Sequence, residues 1–267
     1  MTPTPDDGYE TLRFERSGPI LRVVIDHPHS DLNVVDHLLH RELTRMAAEL
    51  RTEDDARAIV LTAAGATFSA GGDLGWFPHL RSVEALARLQ LDARSLLLDF
   101  LDIPCPVIAA LPGPAVGLGA TLALLCDGLI MADTATLADP HVSVGLVAGD
   151  GGTAVWPLAL GPARAKQYLL TGAAVDADAA LAMGLAADVV PRTGLDDAAM
   201  AYARRLAAQP PLAVRYTKLA VNKLVREAVE RTFDTSAGYE LLTFLSEDHR
   251  EAVDAFIQRR PGRYEGR

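Results

Sequence analysis

The chain has 267 residues, enough to bury a sizeable core in one large domain or two small ones. Its residues are 49% hydrophobic, 22% charged and 6% aromatic, a composition typical of soluble globular proteins. The net charge of −10 and the lack of a long basic run argue against nucleic acid or an anionic membrane surface as a partner.

Three features predict a cytoplasmic location and no metal. The first ten residues lack the basic and apolar regions of a signal peptide. The uncharged run 103–126 is long enough to span a membrane, but its four prolines and three glycines predict a buried strand, a loop and a helix instead. Cys105 and Cys126 lie in apolar surroundings without a Cys/His metal spacing, so we expect buried free thiols.

The first hundred residues predict a hairpin followed by helices and a strand. Residues 1–8 are rich in Pro, Thr and Asp and are expected to be loose. TLRFER and ILRVVIDHP flank a turn at 17–19, which indicates a β-hairpin. Helical spacing predicts a helix over 33–50, ARAIVLTAA predicts a buried strand, and a second helix is expected over 82–101.

The rest of the chain changes from mixed to helical. PVIAAL predicts a strand, PGPAVGLG a loop and ATLALLCD a helix, followed by short strands in GLIMAD and ATLAD. Beyond Pro157 the pattern is almost entirely helical. The sequence therefore predicts an α/β protein with stacked sheets, divided into a core at 1–195 and a helical C-terminal region at 196–267.

Two loops of small residues follow apolar strands, at 67–73 (TFSAGGD) and 112–120 (PGPAVGLGA). Small side chains let a ligand approach the backbone, whose N–H groups can donate to a developing negative charge. The two loops could therefore form an oxyanion hole, although ordinary tight turns explain them as well.

Other familiar motifs are absent or incomplete. Gly117-Leu118-Gly119 begins like a dinucleotide fingerprint, but position 122 is leucine where the third glycine is required. His37 and His40 share a helix face and could contact one metal, yet two exposed histidines on a polar face is the simpler interpretation.

The stretch DPHVSVGLVAGDGG places His141 and Asp150 among small and apolar residues. Imidazole titrates close to neutral pH and suits general-base work, with Asp150 as a partner that orients it or shuttles its proton. The alternatives are a satisfied buried histidine and an aspartate that caps a turn.

Four segments, in order and spacing over essentially the whole chain, resemble the crotonase superfamily, the enoyl-CoA hydratase/isomerase family. The C-terminal EDHREAVDAFIQRRPGRYEG is also similar to that family's pattern. The four segments are TFSAGGDL, PVIAALPGPAVGLGATLALLCDGLIMAD, GDGGTAVWPLALGPARAKQYLLTG and ALAMGLAADVVP.

The resemblance implies a spiral of ββα units whose C-terminal helices assemble a homotrimer or a dimer of trimers. It implies an acyl-CoA thioester substrate, with coenzyme A as part of the substrate and no separate cofactor. By position, the oxyanion hole falls on the backbone N–H groups of Ala70 and Leu118. The adenine end of coenzyme A falls near Asp31, Leu32 and Asn33, with Arg259 for its phosphates.

The chain departs from the family's hydratases at both catalytic glutamates. Thr121 and His141 stand at those positions, and a threonine hydroxyl cannot act as an acid or base near neutral pH. The His141/Asp150 pair resembles that of the superfamily's β-diketone hydrolases, which cleave a carbon–carbon bond. The remaining residues expected to line or border the pocket are Gly71, Asp73, Trp76, Phe77, Gly117, Thr121 and Trp156; for the three aromatic residues core packing is an equal interpretation.

Three functions remain open. The first is an acyl-CoA enzyme of the hydratase/isomerase family with altered acid–base residues. The second is a hydrolase of C–C or thioester bonds, which need not use coenzyme A. The third is a non-catalytic binding protein of the same fold, which the two intact loops argue against.

Overall fold

The computed structural model describes residues 8–80 and 82–267, so most of the segment predicted to be loose, residues 1–7, lies outside the described residues. Among the described residues the strands are β1 (Leu12–Ser17), β2 (Ile20–Ile25), β3 (Ala58–Ala63), β4 (Val107–Leu111), β5 (Ala115–Val116), β6 (Gly128–Ala132), β7 (Thr136–Ala138), β8 (Val175–Asp176) and β9 (Asp188–Val190). The α-helices are α1 (His37–Leu50), α2 (Val83–Leu101), α3 (Leu118–Leu125), α4 (Gly152–Leu160), α5 (Pro162–Thr171), α6 (Ala177–Ala182), α7 (Leu195–Ala207), α8 (Pro211–Phe244) and α9 (Glu247–Gln258). Short 3-10 turns cover Phe77–His79, His141–Val144 and Arg192–Gly194.

Two sheets form the core of the fold. The larger has the order β1-β2-β3-β4-β6-β9, in which β1 and β2 form an antiparallel hairpin and the remaining pairs are parallel. The smaller has the order β5-β7-β8. The chain leaves the large sheet after β4 to add β5 to the small one, and returns at β6. The predicted α/β class with two sheets is confirmed.

The large sheet is buried on both faces, as is typical of parallel sheets. Every residue of β3 and β4 is buried. Small residues of α7, Ala199 and Ala203, pack against Val60 and Ile108 on one face. The opposite face contributes to the larger core cluster, which includes residues of α1, α2 and α3. The candidate site lies where the segments after β3, β5 and β7 meet.

Several predicted helices begin at a different residue in the structure. The hairpin and the helix after residue 82 are confirmed. The helix predicted to begin at 33 begins at His37, because the Asp36 carboxylate accepts the Leu39 N–H at 2.9 Å and caps it. Asn33 has a φ of 49°, a left-handed conformation that no helix residue adopts. The helix predicted at ATLALLCD begins two residues earlier, at Leu118.

The prediction missed α4, β8 and β9. Helix α4 has buried residues around most of its circumference and contains Pro157, so it lacks the one-sided apolar pattern that marks a surface helix. The two strands have only two and three residues, too few for an alternating pattern.

The C-terminal helices pack back onto the core. Helix α8 contacts α2 and α4, and α9 contacts the His141–Val144 turn. Within the described part of the chain, we find no helix whose length and hydropathy would suit a membrane span. The helical C-terminal region is therefore confirmed, and it brings residues of α8 and α9 to the loops of the core.

Candidate active site

The imidazole of His141 is held by a hydrogen bond that it donates to a buried carboxylate. Asp139 follows β7 directly and is 1% exposed. Pro140 then leads into the 3-10 turn that begins at His141. The Nδ1 atom of His141 lies 2.5 Å from Oδ1 of Asp139, so the carboxylate fixes the orientation of the ring and accepts its Nδ1 proton. The prediction gave Asp150 either an orienting or a proton-shuttling role, and the structure gives the orienting contact to Asp139.

The other ring nitrogen of His141 faces two further carboxyl groups. Nε2 lies 3.7 Å from Oδ2 of Asp150, in the turn before α4, and 3.9 Å from Oε1 of Glu240, on α8. These groups are mostly buried, with side-chain exposures of 15% for His141, 16% for Asp150 and 14% for Glu240. One imidazole and three carboxyl groups therefore share a pocket with little water. We call Asp139, His141, Asp150 and Glu240 the acid–base cluster.

Burial and mutual repulsion shift the proton affinities within this cluster. Burial raises the pKa of Asp150 to about 6 against the attraction of His141, and Asp139 raises it further. Burial likewise raises the pKa of Glu240 to about 8, with a smaller opposing attraction from His141. Burial opposes a charge on His141, but Asp139, Asp150 and Glu240 outweigh it and hold the pKa well above the usual range. The cluster thus favours a proton on His141 and on Glu240 near neutral pH.

Glycines allow these groups to approach one another. Gly117 has a φ of +54°, and a Cβ built there would lie 3.5 Å from Cε1 of His141 and 3.9 Å from Oδ2 of Asp150. A Cβ at Gly149 would overlap the carboxyl group of Glu240. A side chain at Gly149 would displace Glu240, whereas Gly117 is favoured by its left-handed φ, because a Cβ there would meet the cluster only at ordinary contact distances.

Helix α9 supports the turn that carries His141. Nδ1 of His249 donates to the carbonyl oxygen of Val144 at 2.7 Å. The His249 ring also packs against Phe77 and Phe244, at centroid distances of 6.0 Å and 5.1 Å. Burial lowers the pKa of His249, so the ring donates to Val144 as a neutral imidazole. Helix α9 therefore contacts both the His141–Val144 turn and the aromatic side chains of Phe77 and Phe244.

The cluster opens into a cavity of about 80 Å³. His141, Asp150 and Glu240 line one part of it, and Leu118 and Gly72 also reach it. The space suits the reacting end of a small substrate against an apolar wall. That wall includes Trp76, Phe77, Leu86, Leu89, Phe233 and Phe244.

The backbone N–H of Ala70 does not face this cavity as a free donor. It donates to the carbonyl oxygen of Leu32 at 2.9 Å, which corrects the expectation that Ala70 forms half of an oxyanion hole. Among the described residues, the N–H groups of Gly72 and Leu118 have no hydrogen-bond acceptor, and both residues line the cavity. Leu118 is the first residue of α3, where the helix dipole favours negative charge.

Some of the other predicted pocket residues lie at the cavity, and others do not. Trp76 and Phe77 line the cavity, while Gly71 and Gly117 lie next to each other beside the cluster. Asp73 accepts the Gly75 N–H at 2.8 Å and shapes its own turn. Thr121 is fully buried. Trp156 is also fully buried and packs against Tyr168 at 6.0 Å, so the structure places it in the core, away from the cavity lining.

The residues predicted to contact coenzyme A show different environments. Asp31 and Leu32 are exposed. Asn33 is 2% exposed and fully engaged: its Oδ1 accepts from His27 N–H, and its Nδ2 donates to the carbonyls of Ala64 and Thr67. The Asn33 side chain therefore fixes the loop and is not available to a ligand. Arg259 is exposed at the end of α9.

Asp139, His141 and Asp150 each offer a ligand atom within 4.8 Å of one another, a spacing that a metal ion could accept. Oδ1 of Asp139 already accepts a hydrogen bond from Nδ1 of His141. The close spacing of these side chains is therefore also explained by hydrogen bonding, without a metal ion. That no metal takes part stays a prediction.

Sequence reasoning missed two members of the cluster. Asp139 could have been found, because it follows a predicted strand and lies two residues before the candidate base. Glu240 carries no such signal, because it lies within a long helix of ordinary helical pattern, far along the chain.

Comparisons with known proteins show the family to which the chain belongs. The family model for enoyl-CoA hydratase/isomerase matches residues 15–267. A probable enoyl-CoA hydratase of Mycobacterium tuberculosis is 33% identical over 94% of this chain and 96% of its own. The crystal structure of an enoyl-CoA hydratase/isomerase from Mycobacterium paratuberculosis is similar with a TM-score of 0.86 and 37% identity, over 92% of this chain and 98% of that one.

A solved structure with a different activity is also similar. A β-diketone hydrolase from the cyanobacterium Anabaena, bound to (S)-3-oxocyclohexyl acetic acid, has a TM-score of 0.83 and 30% identity over 88% of this chain and 94% of its own. The α/β spiral with its helical C-terminal region is that of the crotonase superfamily. The chain belongs to the enoyl-CoA hydratase/isomerase family and is a hydratase-like enzyme of that family.

Proposed function

We propose that the protein acts on acyl-CoA thioesters and stabilises a thioester enolate, with the acid–base cluster in place of a glutamate pair. The observation that carries this proposal is the orientation of His141. Its Nδ1 is bound by buried Asp139, and its Nε2 faces the cavity together with Asp150 and Glu240. This arrangement can both remove and return a proton at carbon.

The reaction begins with the thioester oxygen placed against the N–H groups of Gly72 and Leu118. His141 passes its Nε2 proton to Asp150, whose raised pKa makes that transfer accessible. The neutral imidazole then takes a proton from the α-carbon, and the electron pair moves to the thioester oxygen as an enolate. With a β,γ-unsaturated thioester this enolate is a dienolate, and protonated Glu240 supplies a proton to its γ-carbon, which completes an isomerisation. The proton held by Asp150 then passes to Glu240, which restores the starting state of the cluster. Two backbone donors at the oxygen contribute about 100- to 1,000-fold each to the rate.

A second candidate is hydrolysis of a β-diketone. It is favoured by Thr121 and His141 at the positions of the hydratase glutamates, and by the likeness to the Anabaena hydrolase. Neutral His141 would remove a proton from water as the water attacks one carbonyl carbon. The carbon–carbon bond breaks, its electron pair forms an enolate with the second carbonyl, and protonation gives a ketone and a carboxylic acid.

Product analysis separates the two candidates. Purified protein is incubated with crotonyl-CoA, with a β,γ-unsaturated hexenoyl-CoA and with cyclohexane-1,3-dione, each in the presence of a chelator. His141→Gln serves as the inactive control, and His37→Gln is the matched variant of an exposed histidine. Turnover of a thioester supports the first proposal. Turnover of the diketone alone would replace it with the second, and activity unchanged in His141→Gln would contradict both.

The family resemblance also leads us to propose a homotrimer or a dimer of trimers. Large apolar side chains along α8 support self-association, because Leu212, Tyr216, Leu224 and Leu242 are each more than 60% exposed. Light scattering coupled to gel filtration measures the mass. A monomer at micromolar concentration would contradict this assembly.

A further inference from the structure

His40 is a buried histidine in the cavity wall that the proposed chemistry does not use. It lies on α1, is 6% exposed and lines the same cavity as the acid–base cluster. Its ring lies 6.2 Å from that of Trp76. On the same helix, His37 is exposed and does not line the cavity. His40 is therefore the α1 histidine that a substrate in the cavity would meet.

The imidazole of His40 has no hydrogen-bond partner within residues 8–80 and 82–267; its backbone groups bond to Asp36 and Thr44. The ring nitrogens of His40 keep some accessible surface, so a polar group bound in the cavity can take the place of water there. Burial lowers the pKa of His40 to about 4, partly offset by Asp92. The ring is thus neutral and offers one N–H donor and one acceptor.

Gln90 on α2 is a second uncharged polar group at this cavity. Its Nε2 donates to the carbonyl oxygen of Ala237 on α8, which fixes the amide and leaves Oε1 as an acceptor. The described lining of the cavity includes neither arginine nor lysine. A carboxylate or phosphate group on the bound molecule would therefore lack a counter-charge. A hydroxyl or carbonyl oxygen, in contrast, could accept a hydrogen bond from the N–H of His40.

His40 is also separate from the acid–base cluster. The charged groups that act on it are Asp92 and His37, and neither belongs to the cluster. The groups that act on His141 are Asp139, Asp150 and Glu240. Outside the acid–base cluster, His40 and Gln90 are thus polar groups in an otherwise apolar cavity wall.

We infer that the N–H of His40 forms a subsite for an uncharged oxygen atom, a hydroxyl or a ketone, carried by the substrate in addition to its reacting carbonyl; Oε1 of Gln90 can in addition accept from a hydroxyl. This inference rests on the proposed function for the position of the reacting carbonyl. The substrate class is then an oxo- or hydroxyacyl group in place of a plain hydrocarbon chain. An unmatched polar group discriminates strongly, because a substrate lacking the oxygen leaves His40 buried without a partner.

Binding measurements test the subsite without requiring turnover. Calorimetry compares hexanoyl-CoA with its 4-oxo and 5-oxo derivatives, and 2,2-dimethylcyclohexanone with 2,2-dimethylcyclohexane-1,3-dione, which cannot form the enolate between its carbonyls and stays uncharged. The variants are His40→Phe, which keeps a ring of similar size, and His37→Phe as the matched control on the same helix. We expect the wild type and His37→Phe to bind the member with the extra oxygen at least about tenfold more tightly in one of the two sets. His40→Phe should lose that preference and bind the plain member as well as the wild type does.

Each outcome has a defined meaning. An equal preference in His40→Phe and the wild type, or no preference in the wild type, overturns the subsite. Failure of all thioesters to bind contradicts the acyl-CoA proposal but leaves the diketone pair to decide on His40. Failure of every compound to bind to folded wild type overturns the subsite as well. Circular dichroism of each variant confirms that it is folded.

Discussion

Oε1 of Glu240 lies 3.9 Å from Nε2 of His141, and this contact joins the C-terminal helix α8 to the turn after β7. The core loops alone would present a histidine between two aspartates. With Glu240 the cluster gains a carboxyl group that burial keeps protonated at neutral pH. The same site then contains a group able to accept a proton and a group able to donate one, which is the requirement for moving a proton between carbons.

The first prediction concerns Asp139. Asp139→Asn removes a negative charge at Nδ1 of His141, so the pKa of His141 should fall toward its usual range. The ascending limb of the pH profile of kcat/KM should move to lower pH. The maximal rate should nevertheless fall about 100-fold or more, because the amide can leave the ring in the wrong tautomer. Steady-state kinetics over a range of pH measures both effects. A profile that does not move would show that Asp139 does not act on His141.

The second prediction concerns Glu240. Its pKa is about 8 in the folded protein against 4.5 ordinarily, so the folded state holds a proton that the unfolded chain releases. The stability that this carboxyl contributes is therefore complete below about pH 4.5 and is lost as the pH rises through about 8. The amide of Glu240→Gln cannot lose a proton. The Tm of this variant, relative to that of the wild type, should therefore rise as the pH is raised across that range. Calorimetric scans at several pH values measure the difference, and parallel Tm curves would contradict it.

Glu240→Gln should also change the pH dependence of the reaction rate. Loss of the acid should remove the descending limb of the pH profile near pH 8 and lower kcat about 100-fold or more. Glu230→Gln, an exposed glutamate on the same helix, is the control and should leave the profile unchanged.

The sequence predicted the parts of this site that local signals mark, and the missing parts have physical reasons. His141 and Asp150 stand out among small residues, and glycine-rich loops mark close backbone approach. Glu240 joins them only through the packing of α8, which no local pattern encodes. The resemblance implied Ala70 as a donor, but which N–H of this loop is available depends on which one the Leu32 carbonyl accepts. That choice follows from the path of the neighbouring loop, where Asn33 has a left-handed backbone.

The third prediction tests Leu118 as a backbone donor. Leu118 is the first residue of α3, a position where proline is tolerated and where it removes the N–H. Leu118→Ala shortens the side chain and keeps the N–H. We expect kcat of Leu118→Pro to be about 100- to 1,000-fold below that of Leu118→Ala, because one oxyanion donor is lost. Circular dichroism controls for folding. Equal kcat values in two folded variants would remove Leu118 from the oxyanion hole.

The fourth prediction concerns the attachment of α8 to the core through Lys218. Its Nζ donates to the carbonyl oxygen of Cys105 at 2.9 Å and lies 2.7 Å from Oδ2 of Asp127. Asp127 Oδ2 also accepts the Val107 N–H at the start of β4, so one carboxylate joins a helix to the large sheet. Lys218 is 8% exposed, and its removal leaves Asp127 without its cation.

Lys218→Met should therefore lower the free energy of unfolding by about 2 to 4 kcal/mol. Lys223→Met, an exposed lysine on the same helix, should change it by no more than about 0.5 kcal/mol. Urea unfolding followed by circular dichroism measures both values. Because α8 carries Glu240, Lys218→Met should also lose activity at urea concentrations where the wild type remains active. Equal unfolding free energies for the two variants would show that the Lys218 contacts do not hold α8 in place.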